Sequence, residues 1–129
     1  MLQSLNTMGK TTIPQNEWHE FLRAFSDRHA GWLVRIETHD LETGETVTSR
    51  FLPLQFVELD LEDEKNPRVN LVVRDGPREI KRILFRPSEV TLKLSDDSTE
   101  EGLRVVSLNT ITTVRFRVAI SPELVDEVA

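Results

Sequence analysis

Apolar residues recur along this chain at two spacings, and the change from one to the other falls at Gly31. Before it, Trp18, Phe21, Leu22 and Phe25 stand three and four apart, which gathers them on one side of a helix. Asn16 offers an N-cap side chain, Glu17 and Glu20 suit the positive end of the helix dipole, and Gly31 supplies a left-handed stop. The pattern predicts one amphipathic helix of about four turns, starting at Asn16.

From Trp32 to Val118 the spacing is two, the period of half-buried strands. Trp32, Val34 and Ile36 share a face, as do Val57, Leu59 and Leu61; Val69, Leu71 and Val73; Val90, Leu92 and Leu94; and Val114, Phe116 and Val118. HDLETGE, DEKNPR, DGPR, the acidic SDDSTEEG and the pair Asn109 and Thr110 read as turns, and Pro53 as a break or bulge. The expected fold is α+β and mostly β: an N-terminal amphipathic helix, then about eight antiparallel strands forming a strongly bent sheet or small β-barrel with the helix over one face. Residues 1–15 read as a flexible N-terminal arm, 16–120 as a single domain, and 121–129 as a short tail in which Ser121 and Pro122 cap a last helical turn.

Two strands are apolar on both faces. In EIKRILF, Ile80 and Leu84 oppose Ile83 and Phe85; in LRVVSL, Leu103 and Val105 oppose Val106 and Leu108. Such strands are expected to be covered twice, by the helix or by a second subunit.

The run EWHEFLRAFSDRHAGWLVRIETHD (17–40), with FLPL (51–54) and FRPSEVTL (85–92) downstream, resembles an uncharacterised family of short bacterial single-domain proteins. Members open with a Trp and Phe helix, an FS..H.G corner and a V.IE..D strand. The resemblance spans residues 16–118; it implies membership and a bacterial source, and carries no activity with it.

Composition narrows the function. The 129 residues carry a net charge of −6, which disfavours a protein that coats nucleic acid or anionic membrane with its whole surface. The lack of Cys removes disulfides, thiol catalysis and thiolate metal sites, and a cytoplasmic location is the expectation. The opening MLQSLNTMGKTTIPQ holds no apolar run of signal-peptide length, and no stretch approaches a transmembrane span, so a soluble, unprocessed chain is expected.

The three histidines, His19, His29 and His39, are spaced ten apart among carboxylates. A helix rises about 1.5 Å per residue, which separates His19 from His29 by about 15 Å, too far for one metal. His29 falls in line with the apolar stripe as a packed residue, and His39 takes the parity opposite to Val34 and Ile36. Ser26, Asp27 and His29 are local helix neighbours without a nucleophile elbow, and the acidic loops lack EF-hand spacing. No glycine pattern cradles a phosphate. No metal and no cofactor is expected.

Charge is distributed unevenly. Residues 68–93 hold seven cations and three acids, a net +4 that leaves −10 for the remainder. A hairpin built from VNLVVRDGPREIKRILF is expected to bring Arg74, Arg78, Lys81, Arg82 and Arg86 to a phosphate or acidic partner, unless they pair with the chain's own acids. RDGPR also matches the RxxxR element of cyclic-dinucleotide-binding PilZ barrels, but Glu101 occupies the glycine position of the accompanying [DN]xSxxG, and strands already precede the arginines. The expected function is a non-enzymatic protein-interaction or assembly module of a bacterial cytoplasmic protein, as a homodimer or with a protein partner and away from membranes. The alternative is binding of a phosphate ligand, nucleotide or nucleic acid through the 68–93 hairpin.

Overall fold

The computed structural model describes residues 6–7, 9–97 and 99–117. In chain order these form β1 (Asn6–Thr7), β2 (Lys10–Thr12), a 3-10 turn (Gln15–Glu17), α1 (Trp18–His29), β3 (Leu33–Asp40), β4 (Thr46–Thr48) and β5 (Leu52–Asp60). Then come β6 (Arg68–Asp75), β7 (Arg78–Phe85), β8 (Glu89–Leu94), β9 (Glu100–Ser107) and β10 (Thr110–Phe116). The expected tail and its Ser121 cap lie outside the described residues.

The helix starts two residues after the expected cap, because Gln15–Glu17 tighten into a 3-10 turn behind Pro14. It buries Trp18, Leu22, Phe25, Ser26 and His29 and ends where Gly31 takes φ +86°. The Trp18 indole N–H donates to the Ile13 carbonyl at 3.0 Å, fixing the chain that enters the helix.

All strand pairs are antiparallel, in the order β1-β2-β8-β9-β10-β3-β5-β6-β7, with β4 beside β3. One apolar cluster holds Val90 and Leu92 of β8, Val114 of β10, Leu71 and Val73 of β6 and Leu84 of β7, so the sheet bends until its two halves face each other. The end strands β1 and β7 do not pair, so the mostly-β expectation stands and closure into a barrel does not.

The bend has a local cause. β3 pairs with β5 only at Leu33–Pro53 and Val34–Leu52, and an irregularity between Leu54 and Phe56 then turns β5 away. Pro53 itself sits inside the strand, and the break expected there falls just after it. α1 fills the gap. The Val57 N–H donates to Ser26 Oγ at 2.8 Å, and Ser26 Oγ lies 2.8 Å from the carbonyls of both Val57 and Leu22.

Two further positions differ from the sequence pattern. Within the segment expected as an arm, Lys10–Thr12 form β2 along β8, and Ile13 just after it is buried and donates its N–H to the Val90 carbonyl at 2.9 Å. Core burial and edge pairing together order residues whose composition reads as irregular. Trp32, expected on the buried face with Val34, lies in the corner before β3 and is 47% exposed, its ring edge packing on His29 and Phe116.

Candidate functional site

The β6–β7 hairpin turns at Gly76 and Pro77. Gly76 has φ +62° and the Pro77 ring fixes a negative φ, the combination a tight primed turn requires. The turn sets a register in which Arg74 opposes Glu79 and Asp75 opposes Arg78. Each expected ligand-binding cation therefore meets a local partner or a different face. Arg74 lies 3.4 Å from Glu79, and Arg78 lies 3.6 Å from Asp75. Asp75 also binds Arg50, whose hydrogen bond does most to hold the Asp75 carboxyl below the usual carboxylate range.

Strand parity scatters the remainder. Arg82 shares the inward parity of Leu84 and reaches Thr38 Oγ1 at 3.4 Å, whereas Lys81 lies on the outward face across from Val72. Arg86, at φ +50°, donates to Asn66 Oδ1 at 3.2 Å. The hairpin thus brings Arg74 and Lys81 to one face, puts Arg82 on the other, and leaves Arg78 and Arg86 at opposite ends of β7.

The same outward face carries acids. Asn70 Nδ2 donates to Glu58 and Asp60 at 3.0 and 3.1 Å, and Arg68 lies 3.1 Å from Asp60. The backbone N–H of Glu62 and the Asn70 amide hold the Asp60 carboxyl below its ordinary value.

Beyond the side chains, the hairpin ends in an open backbone edge. Ser26 occupies the N–H and C=O of Val57, so those groups face α1, and Val57 makes no ladder bonds to its opposite residue Leu71. By antiparallel alternation Leu71 then bonds Arg82, and the N–H and C=O groups of Glu79, Lys81, Ile83 and Phe85 face away from the sheet. The Phe85 carbonyl accepts the Leu108 N–H at 3.0 Å, closing that end. Among the described residues no strand pairs with the stretch from Glu79 to Ile83. Ile83 (39%), Phe85 (52%) and Leu108 (60%) are exposed, so the outer apolar positions of the two-faced strands are not covered by the helix.

The histidines do not converge. His19 lines a groove of about 220 Å³ between α1 and β5 with Arg23, Asp27 and Glu58, and half-buried His39 lies 2.9 Å from Thr46 Oγ1. His29 is buried among Phe25, Trp32 and Phe116, with Nδ1 2.8 Å from the Phe25 carbonyl and Nε2 3.1 Å from Glu100. Burial pushes its pKa below 6.5, against the opposite pull of that carbonyl and of Glu100. Among the described residues no three His, Cys, Asp or Glu side chains are placed to hold a metal ion.

A second set of cations escapes any reading by sequence window. Lys10, Arg35, Lys93 and Arg115 lie far apart in the chain, yet cross-strand register aligns them on the outer face of β2, β8, β10 and β3. The available signal was parity, since each sits between inward-facing apolar neighbours or pairs with a residue that does.

Among the described residues no helix is long and apolar enough to cross a membrane. No curated protein matches the chain, and no solved structure matches it. A family of unknown function, DUF5335, matches residues 9–123 of the 129, and the chain belongs to that family.

Proposed function

We propose that this protein is a non-enzymatic assembly module that pairs with a second copy of itself through the edge of β7. The observation that carries the reading is the backbone from Glu79 to Ile83, unpaired among the described residues, on an eight-residue edge strand whose outer apolar residues Ile83 and Phe85 are exposed.

Charge selects the register. A two-fold pairing centred on Lys81 opposes two lysines, and one centred nearer Phe85 meets the Leu108 contact. Centring on Ile80 sets Glu79 against Lys81 of the second copy twice over, as a self-complementary interface demands. Ile80, already packed on the apolar cluster, then meets its own symmetry mate and carries the core across the interface.

Phosphate binding by this hairpin is the weaker reading, since Arg74 and Arg78 pair with acids of the same turn. A bacterial cytoplasmic setting is part of the proposal, supported by the absence of Cys and by the resemblance of the 17–40 run. The direct test is sedimentation at micromolar concentration of the wild type and of Lys81→Pro. The residue 81 N–H faces the open edge, so proline there removes no bond inside the chain. A dimer that becomes a folded monomer supports the proposal; a wild-type monomer refutes it.

A further inference from the structure

The outer face of the other half of the sheet carries a continuous cross-strand row. Register places Lys10 beside Lys93, Lys93 beside Gly102, Gly102 beside Arg115, and Arg115 beside Arg35. Arg35 lies over the Phe51 ring, 4.4 Å from its centre, at the far end. With strands about 4.8 Å apart the row runs about 19 Å from Lys10 to Arg35.

Its middle position has no side chain. A Cβ at Gly102 would stand 2.1 Å from the Val114 carbonyl oxygen, so the close approach of β9 to β10 admits only glycine. Main chain with no side chain of its own, buried beneath its neighbours, therefore lies between Lys93 and Arg115, whose Cα atoms are two strand steps, about 10 Å, apart. Long basic side chains on both sides of such a floor can close over one tetrahedral oxyanion.

The row is incompletely neutralised. Glu37 binds Arg115 at 3.1 Å and Glu89 lies 3.8 Å from Arg104, the next cation along β9, while Lys10, Arg35 and Lys93 form no ion pair among the described residues. Arg35 Nε is buried without a hydrogen-bond partner among the described residues. Burial depresses the Lys93 pKa, and Arg115, Lys10 and Arg104 add to the effect while Glu101 opposes it. Positive potential thus gathers here in a chain of net charge −6.

We propose that this row binds a run of phosphate groups, with one phosphate seated over Gly102 between Lys93 and Arg115 and its neighbours reaching toward Lys10 and Arg35. Inorganic polyphosphate and a single-stranded nucleic-acid backbone present the same chemistry, and the test separates them. The site is independent of the β7 edge.

The test is calorimetric titration of the full chain at low salt with inorganic triphosphate, and anisotropy with a short labelled single-stranded oligonucleotide. Salt-sensitive binding is expected, weakened about tenfold or more in Lys93→Gln/Arg115→Gln. Lys93→Arg and the hairpin pair Arg74→Gln/Arg78→Gln should retain it. Triphosphate binding alone assigns a free phosphate chain, and binding of both assigns phosphodiester as well. Lys93→Gln alone relieves crowding among Lys10, Arg104 and Arg115, so it should melt no lower than wild type and still bind less tightly. Failure of both probes to bind, or an equal loss in the hairpin pair, overturns the proposal.

Discussion

Ser26→Ala probes the seam on which the fold turns. Ser26 Oγ accepts the Val57 N–H and lies within hydrogen-bond distance of the Val57 carbonyl, at the point where β5 has left β3 and, among the described residues, α1 rather than a strand lies on the side away from β6. Alanine leaves that N–H and C=O without partners next to a side chain only 7% exposed. A buried unsatisfied backbone group costs about 1–3 kcal/mol, from which the better helix propensity of alanine returns roughly 0.5 kcal/mol. Counting one such group, a net loss of about 0.5–2.5 kcal/mol is expected, and with a urea slope near the middle of its usual range, about 2 kcal/mol per molar, the midpoint falls by roughly 0.3–1.2 M. Equilibrium urea unfolding followed by tryptophan fluorescence reads it directly, with exposed Asp27→Ala as the control on the same helix. An unchanged midpoint in Ser26→Ala would show that another group satisfies Val57, and the account of the bend would be wrong.

Three further outcomes follow from the packing and the titratable groups. The His29 pKa is depressed in the folded state, so the stability it contributes is present above about pH 6.5 and is lost as pH falls through its folded value. Urea midpoints taken from neutral pH down to about pH 5 should decline, and His29→Gln should flatten the decline. The separate loss on further acidification comes from Asp60, Asp63, Asp75 and Asp97, all held below 3.8, and should persist in that variant. Gly102→Ala drives a methyl against the Val114 carbonyl and should cost about 1–3 kcal/mol or more, seen as a lower melting temperature. Ile13→Ala should cost about 2–5 kcal/mol, whereas an unpacked N-terminal segment would lose nothing measurable.

The apolar periodicities made α1 and most strands legible, because one buried face per element writes its spacing directly into the sequence. Leu22, Phe25, Val34, Ile36, Leu71 and Val105 all lie where their period places them. Periodicity says less about short segments that owe their order to a neighbour. β2 has too few residues for a pattern and is held by β8, and Trp32 breaks its parity because the corner at Gly31 comes between the helix and β3. Openness of the sheet was equally hidden, for it depends on whether the end strands β1 and β7 meet, which no spacing within a strand records.

Charge was misleading for a related reason. The net +4 window from 68 to 93 suggested a patch, but the hairpin register pairs Arg74 with Glu79 and Asp75 with Arg78, and alternation sends Arg82 to the other face. The aligned cations are Lys10, Lys93, Arg115 and Arg35, from four strands that only the folded sheet brings into one row. A row perpendicular to the strands leaves no trace in any window of consecutive residues.

Assembly through β7 is tested most directly by a charge swap followed in sedimentation equilibrium. If Glu79 faces Lys81 of a second copy, Glu79→Lys sets lysine against lysine twice and should leave a folded monomer, while Glu79→Lys/Lys81→Glu restores both pairs and the dimer. A wild-type monomer, or a dimer indifferent to both changes, would contradict the account.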